Sequence, residues 1–143
     1  MKIGELAQMA LCTVETIRYY EKEGLLPVPE RSAANYRSYG QAHIERLCFI
    51  RNCRALDMTH DEIRALLGMM DSPASDCGAI NHLLDEHIEH VDVRINELLQ
   101  LKRQLMLLRE RCQTERSVDA CGILQGLAAM ETEAKPPKHT HLG

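Results

Sequence analysis

Tryptophan is absent, and phenylalanine occurs once and tyrosine four times in 143 residues. So small an aromatic supply argues against a β-sandwich and for a helical protein. No apolar run exceeds a few residues, which excludes a membrane-spanning helix. The opening stretch "MKIGELAQMA" carries Lys2 and Glu5, so it is expected to be neither a signal peptide nor an anchor. The expected location is the cytoplasm. Thiols stay reduced there, and spaced cysteines mean metal or redox chemistry more often than structural disulfides. No nucleophile–base motif stands out, and no enzyme is expected.

A positive net charge is also missing. The formal value is −4, and it is unevenly spread. Residues 1–60 hold eight basic and seven acidic side chains, whereas residues 61–143 hold nine and fourteen. Between Arg31 and Arg54 five arginines face only Glu45. A local basic face suffices to track phosphates even on an acidic chain.

What is present is mostly helix. Ile3, Leu6, Ala7 and Ala10 share one helical face. After the break "LCT", the stretch "TVETIRYYEKEGLL" reads as a second short helix with Thr13 as N-cap and Gly24 as its stop. Two short helices joined by a tight turn match a helix-turn-helix, although any αα-hairpin shows the same pattern. The stretch "LPVPERSAANYRSYG" predicts a short β-hairpin or wing. Next comes a helix from about Gln41 to Ala55, with Ile44, Leu47, Cys48 and Arg51 in register. Another opens on the capping box Thr59–Glu62, and "DSPASD" reads as a linker. The sequence alone lets Tyr36, Tyr39 and Phe49 be core; Phe49 is expected there, and Tyr36 is divided between core and surface.

The longest regular feature runs from about Cys77 to Cys112. Ile80, Leu84, Ile88, Val91, Ile95, Leu98, Leu101, Leu105 and Leu108 recur in steps of three or four, with Cys112 next. One helix cannot bury such a seam, and the simplest partner is the same helix of a second copy.

Cys77 and Cys112 stand some 50 Å apart along one helix, at about 1.5 Å per residue. They cannot share a site within one chain. In an antiparallel pair, Cys77 of one copy lies beside Cys112 of the other, and Cys121 can fold back on Cys112. Three thiols then converge twice per dimer. The rival reading makes Cys112 a seam residue and Cys121 a small buried apolar one. Cys12, Cys48 and Cys53 have poor ligand spacing and read as core. Three thiolates suit Cd(II), Hg(II), Pb(II), Zn(II) or Cu(I) over Mg(II) or Ca(II). His87 and His90, at i and i+3, read either as ordinary helix surface or, with His139 and His141 of the tail, as a second metal site. His60 and Glu62 fall into no pattern of their own.

The stretch from "IGELAQMALCTVETIRYYEKEGLL" to "MTHDEI" resembles the MerR family of bacterial transcription regulators, and the likeness extends to about Met130. The set Cys77, Cys112 and Cys121 resembles the mercury, cadmium and lead branch. The copper branch lacks the first of these cysteines, and the redox branch has a compact iron–sulfur cluster motif that is missing here. "LLDEHIEHVDVRI" and the histidine-bearing tail look most like the cadmium regulators called CadR, with the lead regulators called PbrR next.

The resemblance implies a mainly α fold, a winged helix-turn-helix with a small β wing joined to a long antiparallel dimerisation helix. It implies a DNA-binding domain over residues 1–70, a linker over 71–76, a dimerisation coiled coil over 77–112, a metal loop and short helix over 113–130, and a flexible tail over 131–143. A homodimer on double-stranded promoter DNA would activate heavy-metal resistance genes for RNA polymerase by distorting the DNA when metal binds. Cd(II) is the first expectation, with Pb(II), Hg(II) or Zn(II) behind it, and the place is the bacterial cytoplasm, at the nucleoid. Thr13, Val14, Glu15, Thr16 and Arg18 match the recognition helix. Tyr19, Tyr20 and Lys22 match its phosphate-positioning end, and Arg31, Asn35, Tyr36, Arg37 and Tyr39 match the wing. A thiol-redox regulator and a metal-buffering protein are the other readings.

Overall fold

The structure is a computed structural model that describes residues 1–72 and 76–132. Its elements are helical throughout: α1 (Ile3–Met9), α2 (Val14–Lys22), α3 (Gln41–Ala55), α4 (His60–Met70), α5 (Gly78–Arg109) and α6 (Gly122–Ala129). No described helix is long and apolar enough to cross a membrane.

The first compact unit, Met1–Leu83, holds the core. Leu6, Ala7 and Ala10 of α1 pack with Ile17 of α2, Leu26, Tyr39, and Ile44 and Leu47 of α3. A second cluster joins Leu25, Ile50, Cys53, Met58, Ile63 and Leu67. Tyr20 packs against both clusters, and Phe49 flanks the second half-buried. The apolar spacing read from the sequence is therefore the packing face of α1, α3 and α4.

The helix ends follow local chemistry. Thr13 Oγ1 accepts from the Thr16 N–H at 3.1 Å, which caps α2. Gly24 sits at φ +75°, in the left-handed region that favours glycine, and ends that helix. At α4 the Glu62 N–H donates to Thr59 Oγ1 at 3.1 Å, while the Thr59 N–H donates to Glu62 Oε1 at 2.9 Å.

The expected β wing is reduced. Among the described residues no strand forms, and one antiparallel bridge, Arg31 to Arg37, closes the loop. Pro27 and Pro29 have no N–H to give a ladder. Asn35, at φ +65°, turns the chain after only a few residues. Backbone bonds from Asn35 N–H to Ser32 O (2.8 Å) and from Ser38 N–H to Glu30 O (3.2 Å) hold the loop.

From Leu84 onward the second unit consists of most of α5, a loop with a 3-10 turn at Val118–Ala120, and α6. Along α5 the side chains of Ile88, Ile95, Leu98, Leu101 and Leu105 are exposed. The apolar seam is thus a surface of the chain itself.

Candidate metal centre and nucleic-acid interface

Arg18, Tyr19 and Lys22 are exposed on α2, and so are Thr13 and Glu15 at its start. Thr16 is half-buried, its hydroxyl 2.9 Å from that of Thr13, and Val14 leans on the core. Tyr20 points inward, and burial pushes its hydroxyl above the usual tyrosine range. Tyr19 lies beside His60, the first residue of α4, with its hydroxyl 3.4 Å from Nδ1.

In the wing loop Tyr36 is exposed, with the Lys2 ammonium 5.5 Å from its ring centroid. Arg31 Nη1 reaches Asn35 Oδ1 at 3.4 Å. Arg37 pairs with Glu21 at 2.7 Å. Tyr39 is buried, donates its hydroxyl to Glu21 at 2.5 Å, and takes a backbone bond to Met1 O at 2.8 Å. Burial first, and the Glu21 bond second, push that hydroxyl up. A cleft of about 250 Å³ between α2 and the wing is lined by Lys2, Ile3, Arg18, Tyr36, Arg37 and Tyr39. Its cations can hold an extended phosphate backbone, and the exposed α2 side chains beside it can reach base edges.

The thiols sit at the two ends of α5. Cys112 lies three residues past its C-terminus, half-buried, with Sγ donating to Thr114 O at 3.5 Å. Arg109 Nη1 donates to the Cys112 carbonyl at 2.7 Å. Cys121 is the N-cap of α6. The Leu124 N–H, then the Ile123 N–H, hold the Cys121 thiol below its usual range. Burial opposes this, and the Cys112 side chain and Arg116 add smaller help. Cys112 and Cys121 are therefore neighbours, and both are free thiols. Two adjacent soft donors, one biased towards thiolate, fit a thiophilic ion.

Gly122 makes the approach possible. A Cβ there would overlap the Arg111 carbonyl oxygen, and one at Gly126 would stand 2.9 Å from Arg111 Nη1 and 3.1 Å from Leu108 Cδ1. The two glycines share one face of α6 and let it lie against the end of α5.

Cys77 is exposed, just ahead of α5. A helix of 32 residues is about 48 Å long, so one chain does not bring Cys77 to Cys112. His87 is buried and His90 half-buried on α5, with ring centroids 6.4 Å apart. His139 and His141 lie outside the described residues. The sequence pattern assigns no site role to Lys2, Glu21, His60 or Gly122. A Gly-x-x-x-Gly spacing directly after Cys121 was the available signal for the last. Glu21 and His60 had none, because their partners lie far along the chain.

A helix-turn-helix head with a basic cleft, followed by a long helix and paired thiols, defines a DNA-binding regulator with a ligand-sensing end. Residues 1–69 match the MerR HTH family regulatory protein, and residues 44–108 match the MerR DNA-binding family. The HTH-type transcriptional regulator ZntR homolog of Haemophilus influenzae is 49% identical over 111 residues, 78% of this chain and 82% of the relative. The mercuric resistance operon regulatory protein of Bacillus cereus is 39% identical, over 88% of this chain and 96% of that one. A crystal structure of the transcription regulator PbrR691 from Ralstonia metallidurans CH34 in complex with lead(II) aligns with a TM-score of 0.81. Its identity is 52%, over 89% of this chain and 98% of that one. The chain belongs to the MerR family, among its metal-responsive, DNA-binding transcriptional regulators.

Proposed function

We propose that the regulator works in the cytoplasm as a homodimer on double-stranded promoter DNA, and that its inducer is a soft divalent ion, cadmium(II) first. The observation behind this reading is the pairing of Cys112 with Cys121 at one end of α5, while Cys77 stands exposed at the other. An antiparallel pair of these helices sets Cys77 of one copy beside Cys112 and Cys121 of the other and buries the seam of both. Lead(II), mercury(II) and zinc(II) suit the same three thiolates. A similar protein solved with lead(II) and another from a mercuric resistance operon support that breadth. Among the ions, geometry and the groups behind the thiols make the choice.

Residues 1–70 form the DNA-binding domain, 71–76 the linker, 77–112 the dimerisation coiled coil, 113–130 the metal loop with α6, and 131–143 the tail. Thr13, Val14, Glu15, Thr16 and Arg18 enter the major groove, with Arg18 as the bidentate guanine reader. Tyr19, Lys22, Arg31, Asn35, Tyr36 and Arg37 position the phosphates, and Tyr20, which packs inward, supports them from the core side. Tyr39, which is buried, supports the wing from beneath. Closing the loop after Cys112 over the ion ties the two copies together and shifts their heads. The operator untwists and kinks, and RNA polymerase meets promoter elements in register. Specificity and switching both pass through DNA deformation, and inducer and active DNA conformation are coupled reciprocally.

The test is reporter induction over a panel of metal ions. Cys77→Ser, Cys112→Ser and Cys121→Ser should each abolish induction and leave the gel-shift of the promoter intact. A normal response of Cys77→Ser removes the cross-dimer site. Induction that persists under strong reductant separates metal sensing from a thiol-redox switch. For the histidines His87, His90, His139 and His141, ending the chain after Met130 should lower metal stoichiometry while the thiol site remains. An unchanged stoichiometry removes that second site.

A further inference from the structure

Glu21 makes no DNA contact in that reading, yet it is the carboxylate that lines a second basic cleft beside the first. It sits on the last turn of α2, and its side chain is 5% exposed. Both oxygens are engaged, Oε2 with Arg37 Nη1 at 2.7 Å and Oε1 with the Tyr39 hydroxyl at 2.5 Å. Arg18, Lys22, Val28 and Arg37 line this second cleft with it, and Arg18 and Arg37 also line the first. A negative charge beneath a phosphate track opposes DNA binding unless it serves another purpose, and burying it also costs desolvation. Tyr39, itself buried, is bonded by its backbone to Met1 and fixes one oxygen of Glu21. The other oxygen then holds Arg37 through a charge-assisted bond. The Arg37 side chain is still 41% exposed, so donors of its guanidinium remain for a ligand.

We propose that Glu21 is a positioning residue for DNA binding, which holds Arg37, braced by Tyr39, in the pose that presents its guanidinium to a backbone phosphate. The inference rests on the reading that Arg37 meets a phosphate. It joins the recognition helix to the wing loop through side chains, whereas the backbone bridge from Arg31 to Arg37 and the bonds beside it lie within the wing itself.

The experiment is fluorescence anisotropy of the full-length protein on a duplex of its own promoter over a salt series. Arg37→Ala should flatten the slope of log affinity against log salt by about 0.9, which is about fivefold in affinity near 0.15 M salt. Glu21→Ala should flatten it equally, and adding it to Arg37→Ala should change nothing further. Glu21→Gln keeps the shape and one acceptor, so its slope should fall between wild type and Glu21→Ala, and it carries the test if Glu21→Ala does not fold. Tighter or steeper binding in Glu21→Gln would mean that Glu21 merely cancels Arg37 and would overturn the inference, as would an unchanged slope. If Arg37→Ala itself leaves the slope unchanged, the phosphate contact beneath the inference is what fails.

Discussion

Gly122 rests directly on Arg111: no side chain fits between its Cα and the Arg111 carbonyl oxygen. This contact sets the last step of the chain's return from Cys112 to Cys121. Gly122→Ala should push α6 away from the end of α5 and part the two thiols. We expect metal affinity to fall at least about fivefold, since overpacking a tight contact typically costs about 1–3 kcal/mol. Thiolate-to-metal charge-transfer absorbance in a titration measures it, and promoter binding in a gel shift should not change. Full affinity in Gly122→Ala would show that α6 is free to shift.

The thiols should separate by reactivity as pH rises. The N–H groups of Leu124 and Ile123 hold the Cys121 thiol below its usual range, whereas burial pushes those of Cys12 and Cys53 up. A lowered pKa means that thiolate is present above it and lost as pH falls through it. Alkylation by iodoacetamide, followed residue by residue by mass spectrometry, should therefore reach Cys121 at lower pH than Cys12 or Cys53. The same sign makes metal affinity fall with acidification, because protons compete for the thiolates. Equal alkylation profiles for the three cysteines would contradict this ordering.

Arg18 and Arg31 should fail in different ways. Arg18→Ala should compress the gap between operator and random DNA, because a bidentate base contact carries about 1–3 kcal/mol of discrimination. Arg31→Ala should weaken binding to every sequence alike and lower the salt slope by about one. Competition gel shifts at two salt concentrations distinguish the two, and an Arg18→Ala protein with unchanged operator preference counts against base reading.

Two caps can be compared by denaturation. Thr13→Ala and Thr59→Ala each remove an observed N-cap acceptor and should each cost about 1 kcal/mol. Thr59→Ala should be the larger loss, because its hydroxyl also donates to the Glu62 carboxylate in a reciprocal box, whereas the second partner of the Thr13 hydroxyl is the neutral hydroxyl of Thr16. Urea midpoints read both, and a Thr59→Ala midpoint equal to wild type would argue that the box carries no weight.

Much of the head could be read from spacing. Leu6, Ala7 and Ala10, Thr13 as cap, Gly24 as stop and the Thr59–Glu62 box are all local signals, and the structure uses each of them. In the wing the prolines, the turn and Tyr-Arg-Ser-Tyr point to a short hairpin, and the structure shows one antiparallel bridge there, because Pro27, Pro29 and the tight Asn35 turn leave few backbone donors for a ladder.

By itself the sequence determined the helices, their caps, the apolar seam and the impossibility of joining Cys77 to Cys112 within one chain. These follow from periods of three or four residues and from a fixed rise per residue. Only the tertiary structure decided that the partner of Tyr39 is Glu21, that Arg37 shares that carboxylate, and that α6 meets Arg111 through glycine. Each is a contact between residues whose chemistry gives no hint of the partner, and packing in three dimensions selects it.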